Sequence, residues 1–559
     1  MQHRIDFSLA GWWRRAVFYS GLAAAAGLCH SADYEHQVAP GDTVISISQR
    51  WLAVPRDYIK VQQRNRLSDA QARALKPGSI VRIPEQLLRR EAVSAQVTAV
   101  GGDVKVSQGG QTAALLAGQP LAANSSIVTG ADGSVAIQLA DGTVLRIPSK
   151  SEVRLEAMNQ VVTGPAYESR WSVIRGRIEA AVAKVVSPGR FSISTPTAAM
   201  GVRGTAFRAS FDPEQRVARG EVLEGQVAVD GTARSSSKKP LPAVVLDAGM
   251  GSVTDQSGVP SAPRALLAAP AFALASADLQ ERPVVRFPLQ VLPGAKAYRA
   301  QIGSGSTLDT VLREEVFIGA EVKFGDLPDG AYTLALRAID EVGLEGKSLL
   351  QSFRLKARPE PPITQTPPPN GKARGESAQF AWGESTEGHS YRFQLARDAG
   401  FKDIVQEEKS FKTAALTSAA LPPGAYFWRV GSIRPDGDTG PWGDSQRFAM
   451  LPPTAPPQAS EANGMMQFAW SGEPGQKFLA QIARDREFGA LIHSIETVQT
   501  QISIKQPPAG VYYIRLRATD MDGFVGPFSA AQRFEVINRL STGDSANVST
   551  SDGKPVQLY

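Results

Sequence analysis

Apolar residues in this chain recur mostly at every second position, and that alternation predicts a protein built largely of strands. Val135, Ile137 and Leu139 alternate with polar or small neighbours. Asp141-Gly142 offers the two positive-φ positions of a tight hairpin, and Val144 to Ile147 returns as the paired strand. Ile178 and Val182, Phe191 and Ile193, and Val227 and Val229 continue the pattern. Between them, Thr195-Pro196 and Val202-Arg203-Gly204-Thr205 read as turns, and Glu224-Gly225-Gln226 as a hairpin. From about 92 to 253 no useful helical stretch occurs, so the region is almost wholly β. The pattern leaves sandwich, roll and short solenoid open.

Helical spacing occurs near the N-terminus. Asp42-Thr43 can cap a helix whose apolar face is Val44, Ile47 and Trp51, and a second helix runs from about Asp57 to Gln63. A short strand, Ile80 to Ile83, follows. Beyond a Pro/Ala/Ser-rich linker at 254–281, one plan repeats three times, at 282–356, 376–450 and 463–536. Each unit opens on an aromatic residue (Phe287, Trp382, Trp470), continues as an alternating strand, then turns at Gly330-Ala331-Tyr332, Gly424-Ala425-Tyr426 or Gly510-Val511-Tyr512. Each ends near Phe353, Phe448 or Phe534. The first unit lacks the opening Trp and the Gly-Pro-aromatic turn found at 440–442 and 526–528. Pro-rich joins at 359–369 and 452–457 read as semi-rigid spacers, and the polar tail, 537–559, as disordered.

Composition narrows the class. The chain has 559 residues, 42% of them hydrophobic and 20% charged, which is ordinary for globular protein; 51 Gly and 38 Pro suit many turns. The single cysteine, Cys29, excludes internal disulfides and Cys-based zinc sites. The net charge of +6 is spread out, and the Arg89-Arg90 and Lys238-Lys239 pairs read as solvated charge, so no nucleic-acid partner is expected. Residues 1–32 have the parts of a cleavable secretory signal: Arg14-Arg15, an apolar run from Ala16 to Leu28, and small residues near Cys29 to Ala32. That run is shorter than the ~20 residues that span a bilayer, so no membrane span is expected in the mature chain. The expected location is the periplasm.

Three resemblances follow from these residues. Tyr34, Val38, Gly41-Asp42-Thr43, Ile47, Trp51, Val54, Ile59, Asn65, Leu67, Pro77-Gly78 and Ile83-Pro84 resemble the LysM module, a small βααβ peptidoglycan-binding fold, over 33–90. The run 187–207 followed by 219–231 resembles the FecR domain, giving an all-β FecR-like region at 92–253. The three repeats are similar to fibronectin type III β-sandwiches, in which the Gly-x-Tyr tyrosine forms a corner by bonding back to the backbone. The expected fold class is therefore mainly β and multidomain.

Catalytic signatures are absent from the sequence. Of five histidines, His3 and His30 belong to the signal, and His36, His389 and His493 fall in no metal-ligand spacing. No GxSxG elbow surrounds a serine, and Glu341 to Ser348 lacks the first glycine of a phosphate loop. No cofactor, metal or enzymatic activity is expected. Arg203-Gly204-Thr205 reads as a turn in which Gly204 supplies the unusual φ and Thr205 a local hydrogen bond. Trp428 and Trp470 read as core, with Trp442 considered as a carbohydrate platform.

The LysM resemblance implies a groove for an N-acetylglucosamine-containing glycan, peptidoglycan, formed by Gly41, Asp42, Thr43, Asn65, Pro77, Gly78, Ile83 and Pro84. The leading expectation is a non-catalytic periplasmic scaffold or adaptor, tethered to peptidoglycan and presenting its β domains to unidentified envelope proteins. The alternative is a FecR-type signal-transduction component acting through a separate membrane protein, because the anti-sigma segment and membrane span of familiar members are not expected here. A LysM-targeted cell-wall hydrolase is a third reading, which would require sacculus degradation.

Overall fold

Thr43 starts the first helix as expected. Its hydroxyl accepts from the Ser46 amide at 3.0 Å, and the Ser46 hydroxyl accepts from the Thr43 amide at 2.9 Å. Helix α1 (Val44–Trp51) buries Val44 and Ile47, while α2 (Tyr58–Arg64) buries Val61. Strands Tyr34–Gln37 and Ile80–Ile83 pair antiparallel, Tyr34 opposite Ile83. An additional helix, α3 (Asp69–Arg73), lies between them in sequence. It is capped at Ser68 by the same reciprocal device with Gln71 and buries only Ala72.

The computed structural model describes residues 33–162, 166–183, 190–202, 204–233, 242–274, 278–306, 308–462, 464–537 and 556. The predicted signal at 1–32, Arg203, the Lys238-Lys239 pair and nearly all of the predicted tail lie outside the described residues. The fold is mainly β, in two compact units, 1–356 and 357–559.

In the first unit, residues 90–265 form two sheets facing each other across one core that includes Trp171, Phe191 and Phe207. The sheets share the long strand Tyr167–Ala181. Its first half pairs with Glu152–Val161, and its second half lies between Val144–Ile147 and Ala206–Asp212. The change of sheet comes at Gly176, where φ is +78° and a Cβ would meet Ser151 atoms at 2.4–2.6 Å. Two further glycine corners follow. At Gly204 (φ +70°) the chain leaves one sheet for the other, and at Gly225 (φ +79°) it returns. A Cβ on Gly225 would be 3.1 Å from the Gly204 carbonyl, so the two corners stack.

Several turn expectations change. Val217–Glu224 and Gln226–Gly231 do not pair with each other but lie in different sheets, so Glu224-Gly225-Gln226 is a corner and not a hairpin. In the 139–143 turn only Gly142 has positive φ. Leu139 donates to the Thr143 carbonyl at 2.8 Å and the Asp141 carboxylate accepts from the Thr143 amide, which gives a three-residue loop. The Thr205 hydroxyl makes no hydrogen bond among the described residues; its methyl packs against Gly225.

Segments expected to be connecting are partly ordered. Arg264–Ala265 pairs with Met250 and Gly251, and Leu279–Gln280 adds to the first sandwich beside Arg354 and Leu355. Strand Arg90–Ala92 spans the predicted boundary of the N-terminal module and pairs with Asn159–Val161. Val161 and Ala166 complete the core made by Val44, Ile47, Val61 and Ile83.

The first sandwich sets the sheet Ala297–Ser304, Val311–Phe317, Gly330–Ile339 and Leu349–Leu355 against Val285–Pro288 and Glu321–Phe324. The second unit repeats this design twice, with Trp382, Trp428 and Trp470 in the cores. Each sandwich closes its tyrosine corner: Tyr332, Tyr426 and Tyr512 donate to the carbonyls of Pro328, Pro422 and Pro508 at 2.5, 2.9 and 2.7 Å. The 359–369 spacer contains an edge strand, Thr364–Thr366, a position that tolerates neighbouring proline.

Candidate functional site

The predicted glycan residues divide by burial. Asp42 is buried, its carboxylate 2.9 Å from His36 Nε2 and accepting from the Ala39 amide; the hydrogen bond from His36 holds its pKa below the usual carboxylate value. Thr43 caps α1. The Asn65 side chain joins α2 to the last strand, donating to the Val61 and Arg82 carbonyls and accepting from the Arg82 amide. Ile83 is completely buried and so does not face the exterior, while Pro84 is half-buried. Gly41, Pro77 and Gly78 remain at the exterior, with Gly41 and Gly78 at φ +87° and +82°. The two loops meet where Gly78 donates to the Val38 carbonyl at 2.8 Å. Beside them in sequence, Ile45 and Ile80 are 46% and 55% exposed, an apolar surface the sequence reading did not include.

The second cluster lies where the outer face of one FecR-like sheet meets the first sandwich. Register places Arg146 opposite Glu179, Glu179 opposite Arg208, and Arg208 opposite Glu221, a row of alternating charge over four adjacent strands. The sandwich contributes Arg299, Glu314, Arg337 and Glu345. Glu345 receives Arg299 at 2.6 Å, Arg337 at 3.2 Å, Arg177 at 3.5 Å and Arg208 at 3.8 Å. Arg177 also pairs with Glu314, and Arg337 with Glu179 at 2.5 Å. Arg208 donates to the Glu345 and Gly346 carbonyls at 2.7 and 2.8 Å. Arg146 reaches Asp309 at 2.7 Å.

Burial raises the proton affinity of Glu345, but Arg299, Arg177, Arg337 and Arg208 outweigh it and hold its pKa well below the usual value. Glu221 goes the other way: burial pushes its pKa up to about 7 against the attraction of Arg208, with Glu345 adding to the rise. Burial, then Arg337, lowers the pKa of Arg208.

Beside this network is a cavity of about 260 Å³. Its walls are mostly apolar, including Val135, Ile147, Ala181, Ala206, Leu308 and Leu350, with the side chains of Gln301 and Ser348 among the polar lining. Sequence reading found neither network nor cavity, because the contributing residues are dispersed from Ser134 to Leu350 and only strand register brings them together. Alternation of charge at outward positions of the strands was the available signal.

The remaining candidates have structural settings. His36 is buried on Asp42, and no cluster of three or more metal-ligating side chains occurs among the described residues. Trp442 is half-buried and covered by Arg392 and Arg429, at 3.9 and 4.6 Å from its ring. Among the described residues no helix is long and apolar enough to cross a membrane.

The site thus lies on a two-sheet β domain that carries an outward charge row and is closed by a sandwich. Residues 125–228, which include the Gly176, Gly204 and Gly225 corners, match the FecR protein family, so the chain carries a FecR domain. No curated protein matches the chain. Among solved structures, the chain is similar to the FN1–FN3 domains of chicken CNTN1, with 14% identity, TM-score 0.20, and coverage of 48% of this chain and 99% of that one. It is also similar to a candidate anti-sigma factor from Parabacteroides distasonis, with 16% identity, TM-score 0.20, and coverage of 25% of this chain and 59% of that one.

Proposed function

We propose that this protein is a non-catalytic component of envelope signal transduction, with its FecR domain and first sandwich acting as one signalling body. The FecR match at 125–228 carries the reading. The buried ion network supports it, since it joins that domain to the first sandwich. Residues 1–32 would export the chain to the periplasm, where a separate membrane protein would receive the signal. Deleting the gene should abolish a stimulus-dependent transcriptional response, and the Glu345→Gln chain should restore it poorly. An unchanged response in the deletion strain would remove the signalling reading.

The module at 33–90 would hold this body to peptidoglycan through its exposed loops and the apolar Ile45 and Ile80. Glycan modules of this size bury little area, so weak binding is expected. Mature chain should cosediment with sacculi, and Ile45→Asp with Ile80→Asp should release it. Sedimentation unchanged by the pair would refute the tether. Degradation of the sacculi by pure protein would instead support the hydrolase reading.

A further inference from the structure

We propose that the cavity between the FecR domain and the first sandwich binds an uncharged, largely apolar small molecule that donates one hydrogen bond to Gln301. The inference starts from differences among the three repeats. Strand register places Gln301, Gln394 and Gln481 at equivalent positions, opposite Ala335, Arg429 and Arg515. In the later repeats the arginine fills this face: Arg429 and Arg515 donate through two nitrogens to the glutamine Oε1, at 2.6–2.9 Å. Arg429 also stacks on Phe401 and Trp442, and Arg515 on Phe488 and Phe528.

The first repeat has lost both parts of that stack. Its arginine position is Ala335. Gly346 donates to the Ala338 carbonyl as Gly440 and Gly526 donate to Ser432 and Ala518, so Ser348 stands where Trp442 and Phe528 stand in the others. Removing a guanidinium and an aromatic ring leaves space and an acceptor. Gln301 is 4% exposed and gives its Nε2 to Glu314 at 3.0 Å; among the described residues its Oε1 has no donor comparable to Arg429 or Arg515. Both Gln301 and Ser348 line the cavity.

Charge defines the ligand further. The three arginines lining the cavity each face carboxylates: Arg146 on Asp309, Arg337 on Glu179 and Glu345, and Arg208 on Glu221 and Glu345. Glu224 lies at the exposed rim. An ionic ligand would compete with pairs already made, whereas a neutral one needs only the apolar walls and the open acceptor. A dry cavity of about 150 Å³ accepts benzene in a well-studied lysozyme variant, so 260 Å³ suits a molecule of about two rings.

N-phenyl-1-naphthylamine has this character: it is neutral, aromatic, carries one N–H and fluoresces in apolar surroundings. The experiment titrates it into the full mature chain. Saturable one-site enhancement is expected. Ala181→Leu, which adds bulk at the cavity wall, should weaken it at least tenfold, and Gln301→Leu about tenfold, with thermal unfolding close to that of the unaltered chain. As a check independent of folding, 1-benzylnaphthalene, which has no N–H, should displace the probe from the unaltered chain with an inhibition constant about tenfold weaker than the probe's own dissociation constant. That difference should vanish in Gln301→Leu. No saturable enhancement, or equal binding by the unaltered and Ala181→Leu chains, overturns the proposal. Neither result bears on sacculus binding or on the transcriptional response.

Discussion

Glu345 has four arginines around it and is 5% exposed, so its charge is what allows those cations to remain in the interface. Glu345→Gln keeps the shape and removes the charge. Breaking a buried ion pair by neutralising one partner costs about 3–5 kcal/mol, and chemical denaturation of the first unit should show a loss of that order. Glu221 gives a prediction of opposite sign in pH. Its folded pKa, near 7, is above the ordinary 4.5, so the folded state binds its proton more tightly. The stability this confers is fully present below pH 4.5 and is lost as pH rises through 7. Glu179, Glu314 and Glu345 have lowered pKa values, so their contribution is present above pH 4.5 and fails in acid. Glu221→Gln should therefore flatten the decline between about pH 5 and 7.5, with a gain on the order of 2–3 kcal/mol at pH 8. Unfolding curves across pH for both chains decide it, and equal slopes would contradict the assignment.

At the scale of elements, glycine corners set the path of the FecR domain. Gly176→Ala would place a methyl against Ser151 in a backbone region that disfavours side chains, and should cost about 2 kcal/mol or more. Gly201→Ala meets nothing within 4 Å and should be nearly neutral, so the pair separates strain from general intolerance. The corners also show how far the sequence could be read. Alternation located strands such as Ser134–Gln138, and the Gly-x-Tyr repeats marked corners that form in all three sandwiches. A positive-φ glycine serves a hairpin or a change of sheet equally well, so Glu224-Gly225-Gln226 looked like the former until the partner strands were known. Helix α3 was missed because five residues with one buried side chain carry too little periodicity, although Ser68 and Gln71 bore the signature of a capping box. In the glycan site, residue type identified polar positions but not their commitments: Asp42 and Asn65 spend their hydrogen bonds within the fold. The charge row was hidden for a different reason, since Arg146, Glu179, Arg208 and Glu221 become neighbours only through register.

At the scale of the molecule, the N-terminal module is not a separable bead within the first unit. Its core is completed by Val161 and Ala166, and strand Arg90–Ala92 continues the ladder of Glu152–Val161. Buried Glu85 carries ion pairs to Arg90 and Arg190 at 3.7 and 3.2 Å, which adds polar coupling to the shared apolar surface. A chain starting at Val93 would expose those apolar residues and leave Asn159–Val161 without a partner on that edge. Losing burial of even one or two aliphatic side chains costs roughly 2–3 kcal/mol, which in a unit of this size lowers Tm by several degrees. The shortened chain should therefore melt earlier, and in the full chain amide exchange should protect α1 and the strand Glu152–Val161 to a similar free energy. Equal melting with and without residues 33–92 would show that the rest of the unit does not depend on the module. If the melts differ, failure of the shortened chain to sediment with sacculi mixes lost contact with lost stability. Glycan binding must then be tested in the intact protein, where Ile45 and Ile80 can be changed at the surface without opening the shared core.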